Sequence, residues 1–483
     1  MSAAPALIQQ PQTAPAPDRR RWVALAFIAV AQLMIALDAT IISIALPSAQ
    51  RTLGASDADR QWVITAYTLA FGGLLLLGGR IADYMGRKRA FIAGLAGFAL
   101  ASVLGGAAPD FAILIAARAL QGAFAALLAP TALSLLAVTF TEPKERATAF
   151  VVYGSIAGTG AAIGLLLGGA LTQYLNWRWC LYVNAPIAIA AALGTAAVLS
   201  RSSKLARPSL DVLGAVLATT GLVALVYACT EVVRSGWTSI NVVALMVSSA
   251  VLLALFVVRE ARTPNPLLPL RILRDRNRGG AYATVTLVMA GMFGAYLFLT
   301  YYLQAVLHYT PLQTGIGFLP ITVASQSAAW LVARRLMPRV APRALIAPGA
   351  VVAASGLALL TQLHVDTPYW LVVLPAELLL GMGLSTAMSS AFSMATRNVE
   401  PREAGIASAT VNAGGQVGAS LGTALLNTIA TSATAGFAGA HPAALVHGFA
   451  VATGWGAGIM LAGALLAAVL IDAPRPGLRS SPG

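Results

Sequence analysis

The chain has 483 residues, of which 58% are hydrophobic and only 10% are charged, whereas soluble proteins carry about 25% charged residues. A mean hydropathy of +0.78 and long unbroken apolar runs predict an all-α integral membrane protein rather than an outer-membrane barrel. A net charge of +14 is large enough for a protein that binds nucleic acid, but the positions of the basic residues along the chain exclude that partner. Cys180 and Cys229 lie in or beside apolar runs, and no Cys or His spacing predicts a disulfide, a metal site or a cofactor.

Residues 1–21 are rich in Ala, Pro and Gln and end on three arginines, which predicts a disordered cytoplasmic tail. The apolar runs that follow are each compatible with crossing a bilayer, for which about 20 residues suffice. They cover 22–46, 62–79, 90–108, 111–137, 147–174, 180–199, 211–230, 239–258, 281–306, 313–333, 344–363, 369–393, 404–432 and 447–471. We therefore predict fourteen transmembrane helices, an even number that returns the C-terminus to the side of the N-terminus.

The distribution of Lys and Arg residues between the predicted loops tests this topology. Of the 31 Lys and Arg residues, only Arg51, Arg60, Arg178 and Arg234 fall in or beside loops on the predicted outer side, and Arg118 falls within a helix. This bias indicates cytoplasmic N- and C-termini in a multi-pass protein of the inner (cytoplasmic) cell membrane. The bias also indicates that the basic residues orient the protein in the membrane and contact anionic membrane lipid, rather than bind nucleic acid.

Asp38 is the only ionisable side chain between Trp22 and Leu46. A carboxylate inside a transmembrane run costs several kcal/mol unless it faces protein or water, so a functional role is the default hypothesis. The alternative is a partly buried Asp that caps or pairs locally without titrating.

The loop after the second predicted helix reads Gly79-Arg80-Ile81-Ala82-Asp83-Tyr84-Met85-Gly86-Arg87-Lys88-Arg89. An Asp among cations in a tight turn can pair across an interface and release when two halves of a protein move apart. We therefore predict a conformational latch. A cytoplasmic loop that is basic only because of the positive-inside rule would also explain these residues. The latch residues are Gly79, Asp83, Gly86, Arg87 and Lys88. The loop closely resembles the signature of the major facilitator superfamily, with Ile81 in place of the usual Leu.

Other segments resemble motifs of the fourteen-helix drug:proton antiporter branch of that superfamily. In chain order they are Asp38 to Pro47, Trp62 with Tyr67, Leu114 to Gly122, Trp177 to Pro186, Asp211 to Gly214, and Leu303-Gln304 with Leu319-Pro320. Ser43 stands where Asn is common. The resemblance implies that Arg118, in the fourth-helix motif, takes part in proton coupling.

The fifth predicted helix keeps the glycine spacing of the antiporter motif in Gly160, Gly164, Gly168 and Gly169, but Leu165 stands where the family usually has Pro. Glycines at this spacing allow close packing of helices, and the missing Pro removes an expected kink. Packing alone and a gating role both remain open.

Glu377 is the second carboxylate within an apolar span, and at 1.5 Å per residue it reaches a depth similar to that of Asp38 and Arg118. The resemblance places all three around one cavity, so we predict that they couple protons. Binding of a cationic substrate, or a hydrogen bond to a neighbour, remain alternatives for Glu377.

The resemblance implies a major facilitator fold with two six-helix bundles and two inserted helices. We predict a tail at 1–21, bundles at 22–200 and 281–472, inserted helices at 211–258, a basic cytoplasmic loop at 259–280 and a C-terminal tail at 473–483. The loop 334–343 repeats the position of the signature loop in the second half, but Pro338 and Ala341 replace its Asp and second Gly. Such repeats flank a central site in secondary transporters.

The implied function is export of amphiphilic, often cationic drugs or antibiotics in exchange for protons, by a chain that we expect to be monomeric. A dedicated exporter of one metabolite, natural product or lipid would carry the same motifs. A membrane enzyme or a non-transporting sensor is the remote alternative, because no nucleophile and base cluster is visible in the sequence. We therefore predict no catalytic residue.

Overall fold

The computed structural model describes residues 19–57, 59–140, 142–199, 211–263, 266–268, 270–395, 397 and 404–473. Most of the predicted N-terminal tail, residues 200–210 and most of the predicted C-terminal tail lie outside these ranges. The α-helices are α1 (Arg19–Leu53), α2 (Trp62–Met85), α3 (Arg87–Gly106), α4 (Phe111–Thr139), α5 (Pro143–Tyr174), α6 (Trp179–Tyr182), α7 (Asn184–Val198), α8 (Val212–Ser235), α9 (Ile240–Arg262), α10 (Leu270–Arg274), α11 (Arg276–Tyr301), α12 (Pro311–Gly317), α13 (Leu319–Leu331), α14 (Arg343–Leu360), α15 (Val373–Ala395), α16 (Ala404–Ala435) and α17 (His441–Leu470).

Two predicted spans are interrupted. The span 313–333 breaks between α12 and α13, where Pro320 occupies the first turn of α13 and therefore removes no helical hydrogen bond. The span 180–199 divides into the short α6 and the longer α7. Five-residue π-helical segments, Tyr302–Val306 and Val332–Leu336, follow α11 and α13. The all-α membrane architecture is confirmed.

Thirteen helical spans in the described residues are long and apolar enough to cross a membrane, one fewer than predicted. The difference is α16, which is 32 residues long but interrupts its Ala and Gly residues with Ser, Thr, Asn and Gln. These polar side chains lower its hydropathy. Several of them bond within the protein: Thr410 and Thr423 donate to carbonyls four residues earlier in α16, and Thr428 donates to Cys229 of α8. Such internal bonds make a polar helix tolerable among other helices.

Helix packing separates into two groups. In the first, α1 packs on α5 and α7, and α4 packs on α2 and α3; in the second, α11 packs on α16 and α17, and α14 packs on α15 and α17. We call them the first and second halves. Helices α8 and α9 form a pair, and α8 lies along the seam between α2 and α16. Leu69, Val226, Cys229 and Ala424 form an apolar cluster at this seam.

The two ends of the molecule differ. We call the end that carries Arg80 and Arg87 the basic end, and the end that carries the loop 54–61 the opposite end. At the opposite end one apolar core includes buried residues of both halves, from Leu37 and Leu165 to Phe298 and Phe449. Towards the basic end each half has a buried core of its own, although Ala409 and Ala413 of α16 pack against the core of the first half. The halves are therefore joined at the opposite end.

Candidate functional site

Asp38 lies in the middle of α1 with a fully buried side chain. Its Oδ2 accepts a hydrogen bond of 2.6 Å from Nη1 of Arg118 on α4. Its Oδ1 accepts bonds from Nδ2 of Asn184 at 2.7 Å and from Nε2 of Gln121 at 3.1 Å. A guanidinium and two amide groups thus satisfy both oxygens of this carboxylate, as a buried charge requires.

Arg118 is 1% exposed and is held from several sides. Its Nε donates to the carbonyl of Val63 at 3.0 Å, and its Nη1 also donates to Oε1 of Gln121 at 2.8 Å. The guanidinium carbon lies 4.4 Å from the centre of the Tyr67 ring. These contacts fix the orientation of the cation, so that its bond to Asp38 is directional as well as electrostatic.

Four helices of the first half supply this site, which we call the Asp38 cluster: Asp38, Arg118, Gln121, Asn184 and Ser102, whose hydroxyl accepts from Gln121 Nε2 at 2.7 Å. The sequence predicts the two charged members and misses the three neutral ones. Signals for two of them exist, because Gln121 follows Arg118 by one helical turn and Asn184 lies in the segment Trp177 to Pro186.

Glu377 lies apart from this cluster, in the first turns of α15 in the second half. It is fully buried, and its Oε2 accepts a bond of 3.3 Å from the hydroxyl of Tyr369. The same hydroxyl lies 2.6 Å from the carbonyl of Gly317 at the end of α12. Oε1 of Glu377 has no hydrogen-bond partner among the described residues. The structure therefore brings Asp38 and Arg118 together and leaves Glu377 in a separate environment lined by aromatic rings.

The predicted signature loop 79–89 is helical except at Gly86, which alone separates α2 from α3. Gly86 ends α2 and precedes α3 with φ of 87°, a left-handed value that favours glycine. The Asp83 carboxylate is 41% exposed and lies 4.0 Å from Nε of Arg87. Lys88 donates to the carbonyls of Ala196, at 2.7 Å, and Leu199, which tie the loop to α7.

The glycines of α5 mark close contacts with two different helices. A β-carbon on Gly160, Gly164 or Gly168 would lie within 3 Å of atoms of α1. One on Gly169 would lie 2.6 Å from the carbonyl oxygen of Pro311, at the start of α12 in the second half. Leu165, in place of the expected Pro, is buried in the core that both halves share at the opposite end. With Leu165, α5 continues through this region to Tyr174.

A polar network that the sequence did not predict crosses between the halves at the opposite end. Arg60 is 3% exposed, and its guanidinium carbon lies 4.0 Å from the centre of the Tyr301 ring. Its Nε donates to Oδ1 of Asn427 and its Nη1 to Oδ1 of Asp57, both at 3.3 Å. The Tyr301 hydroxyl donates to Oε1 of Gln50. We call these five residues the Arg60 network.

The model of the Major Facilitator Superfamily matches residues 28–423. The chain belongs to this superfamily. It is 53% identical over 466 residues to the puromycin resistance protein pur8 of Streptomyces alboniger, covering 94% of this chain and 92% of the relative. It is 38% identical over 450 residues to the cephamycin export protein CmcT of Amycolatopsis lactamdurans, covering 92% of each.

Solved structures agree on the superfamily fold. The POT family transporter PepTSo superposes with a TM-score of 0.70 at 14% identity, covering 94% of this chain and 98% of that one. A bacterial homologue of the human lysosomal transporter Spinster gives a TM-score of 0.66 at 15% identity, covering 94% and 97%. The major facilitator fold and a transport function rather than an enzymatic one are thus established, which removes the membrane-enzyme and sensor alternatives.

Proposed function

We propose that this superfamily member is a proton-driven exporter of antibiotics or similar amphiphilic, often cationic compounds, working by alternating access. Two relatives that align over nearly their whole length are named for puromycin resistance and for cephamycin export. The Asp38 cluster is the observation that carries the proton part of the proposal, because it buries a titratable group against a fixed cation in the first half.

Protonation of Asp38 would remove the charge that balances Arg118. Separating one partner from a buried ion pair costs about 3–5 kcal/mol, which is enough to change the balance between two conformations by more than a hundredfold. A proton on Asp38 is therefore a ligand with different affinities for two states of the protein, as coupling requires. Arg118 acts in this scheme by stabilising the unprotonated carboxylate.

The shared core and the Arg60 network support a conformation closed at the opposite end. We assign the basic end and both termini to the cytoplasm, following the positive-inside rule. Substrate would then enter from the cytoplasm or inner leaflet and leave after the opposite end opens. The latch residues Gly79, Asp83, Gly86, Arg87 and Lys88 would pair across the basic end when that end closes.

Glu377 is proposed as a second coupling group. Glu377 is fully buried, and one of its two carboxyl oxygens has no hydrogen-bond partner among the described residues, so a negative charge at this position is costly. Its aromatic surroundings would also suit a cationic substrate. Glu377→Gln separates the two roles: loss of pH-driven transport for neutral and cationic substrates alike supports proton relay, and loss confined to cations supports substrate binding.

The deciding experiment is efflux from proteoliposomes that hold the purified full-length chain under an imposed pH gradient. We expect Asp38→Asn to abolish gradient-driven efflux of a fluorescent cation while equilibrium binding persists. Asp366→Asn, which changes an exposed carboxylate in the loop between α14 and α15, should behave as wild type. Unchanged gradient-driven efflux in Asp38→Asn would remove Asp38 from the coupling role.

A dedicated exporter of one compound is the second candidate. It is favoured by the relatives being named for single compounds, puromycin and cephamycin. Competition in the same vesicles separates the two: inhibition by chemically unrelated cations supports broad export, whereas inhibition by one compound and its close analogues supports the dedicated exporter. The proposed unit is a monomer, since the Asp38 cluster is completed within one chain.

A further inference from the structure

Two buried carboxyl groups in the inserted helices have no part in the mechanism above. Asp211 directly precedes α8, and Glu260 lies near the end of α9, so the two residues meet at the basic end of this helix pair. Each is only 3% exposed. Carboxyl groups at such depth require partners, and only half of their oxygens have them.

One oxygen of each group is satisfied. Oδ1 of Asp211 accepts from the backbone N–H of Gly214 at 2.9 Å and from Nε of Arg259 at 2.8 Å. Oε2 of Glu260 accepts from the backbone N–H of Leu268 at 2.8 Å. The remaining oxygens, Oδ2 of Asp211 and Oε1 of Glu260, are buried and have no hydrogen-bond partner in the described part of the chain.

These two free oxygens face the same small space. A β-carbon on Gly214 would lie 2.8 Å from Oδ2 of Asp211 and 2.9 Å from Oε1 of Glu260. The separation of the oxygens therefore cannot exceed the sum of these two distances. Glycine at this position keeps the space open between them.

The charges nearby do not balance. The two carboxylates face one another across Gly214, and the guanidinium of Arg259, itself 37% exposed, pairs with the far oxygen of Asp211. Arg80 of α2 donates to the carbonyl of Pro266 at 3.1 Å. Among the described residues that contact these two carboxylates, Arg259 is the one cation, and two like charges this close are destabilising without a further cation beside them.

We propose that Asp211 and Glu260 form a binding site for a single cation, held between Oδ2 and Oε1. A proton shared by the two carboxyls and a monovalent metal ion such as Na⁺ both supply the missing charge. The occupied site would fix the segment 266–268, because the Leu268 amide donates to Glu260. That segment in turn contacts α2, since Arg80 donates to the carbonyl of Pro266. It is distinct from the Asp38 cluster and does not depend on the proposed substrate.

The test is thermal unfolding of the full-length protein in detergent, in buffers from about pH 5 to about pH 9, a range that begins above the ordinary pKa of a carboxyl group. A shared proton predicts that the wild-type midpoint falls with rising pH relative to Glu260→Gln, because loss of the proton leaves two like charges. A metal ion predicts that NaCl, but not choline chloride, raises the wild-type midpoint at the high-pH end.

Two variants address the site and one is a control. Glu260→Gln removes the second negative charge, and Gly214→Ala places a methyl group within 3 Å of both oxygens. Each should flatten the pH or Na⁺ dependence. Glu231→Gln is the matched control, because that carboxylate lies on α8 and already accepts from Ser235 at 2.7 Å. The proposal is overturned if Glu260→Gln and Gly214→Ala keep the wild-type dependence on both pH and Na⁺. The readout does not require transport, so it stands or falls separately from the export function.

Discussion

At the scale of single residues, Asp38 and Arg118 form a buried ion pair in which both carboxylate oxygens have hydrogen-bond donors. Asp38 and Arg118 could be predicted from the sequence because ionised side chains within apolar runs are costly and hence rare. Gln121, Asn184 and Ser102 could not be predicted in the same way. Neutral amides and hydroxyls are common in membrane helices, and nothing in their spacing specifies that they surround the carboxylate.

Asn184→Ala tests the role of the neutral members. Loss of the 2.7 Å bond removes a donor from the ionised carboxylate, which costs about 1.5–3 kcal/mol for a bond to a charged group. The protonated form of Asp38 gains in relative stability, so the pH profile of gradient-driven efflux should move to higher pH. Asn176→Ala, at an exposed loop position, should leave the profile unchanged, and an equal shift in both variants would contradict this role.

At the scale of helices, the glycine spacing of α5 is compatible with close packing but cannot indicate the partner helices. Gly164 faces Thr40 and Leu37 of α1, whereas Gly169, five residues on, faces α12 in the other half. The periodicity of one helix defines its faces. Which helix covers each face depends on the packing of the whole chain. The same limit applies to Glu377. The sequence predicts its position along a transmembrane span, but it does not predict that Tyr369 is its hydrogen-bond partner.

Gly164→Ala should damage this packing. The added carbon would lie 2.7 Å from the carbonyl oxygen of Leu37 and 2.1 Å from Oγ1 of Thr40, and overpacking of this kind costs about 1–3 kcal/mol. The midpoint of thermal unfolding should fall, and efflux should fall with it. Gly154→Ala on the same helix meets nothing within 4 Å, so it should unfold at or slightly above the wild-type temperature. A stable Gly164→Ala variant would show that α1 can move away from α5.

At the scale of the whole molecule, the halves share one buried core at the opposite end, whereas towards the basic end each half has a buried core of its own. Arg60 and Asn427 meet although 367 positions separate them in the chain. Hydropathy and positive-inside bias predict the number and direction of spans, but not which loop residues of the two halves meet. In the sequence, Arg60 is distinguished only as one of the few basic residues on the predicted outer side. Its contacts with Tyr301 and Asn427 can be seen only in the folded structure.

Closure of the opposite end should therefore depend on Arg60. A cysteine pair reports this closure: Gln173→Cys and Leu312→Cys lie on facing segments of the two halves, where Oε1 of Gln173 now accepts from the Leu312 amide at 3.2 Å. With Cys180 and Cys229 replaced by Ala, a short bifunctional thiol reagent should cross-link the pair in resting protein and stop efflux. Arg60→Ala removes a cation–π contact worth about 1–2 kcal/mol when desolvated, and each 1.4 kcal/mol changes an equilibrium tenfold.

The equilibrium constant for closure should consequently fall about tenfold in Arg60→Ala, and the initial rate of cross-linking at limiting reagent should fall with the closed population. Arg51→Ala provides the matched control, because Arg51 lies at the same end but is exposed and donates to Ser48 of its own helix. It should cross-link like the parent pair. Equal cross-linking in the Arg60→Ala and Arg51→Ala backgrounds would mean that the apolar core shared by the halves is sufficient to close the opposite end. The Arg60 network would then serve to seal the closed end against water and ions rather than to set the balance between conformations.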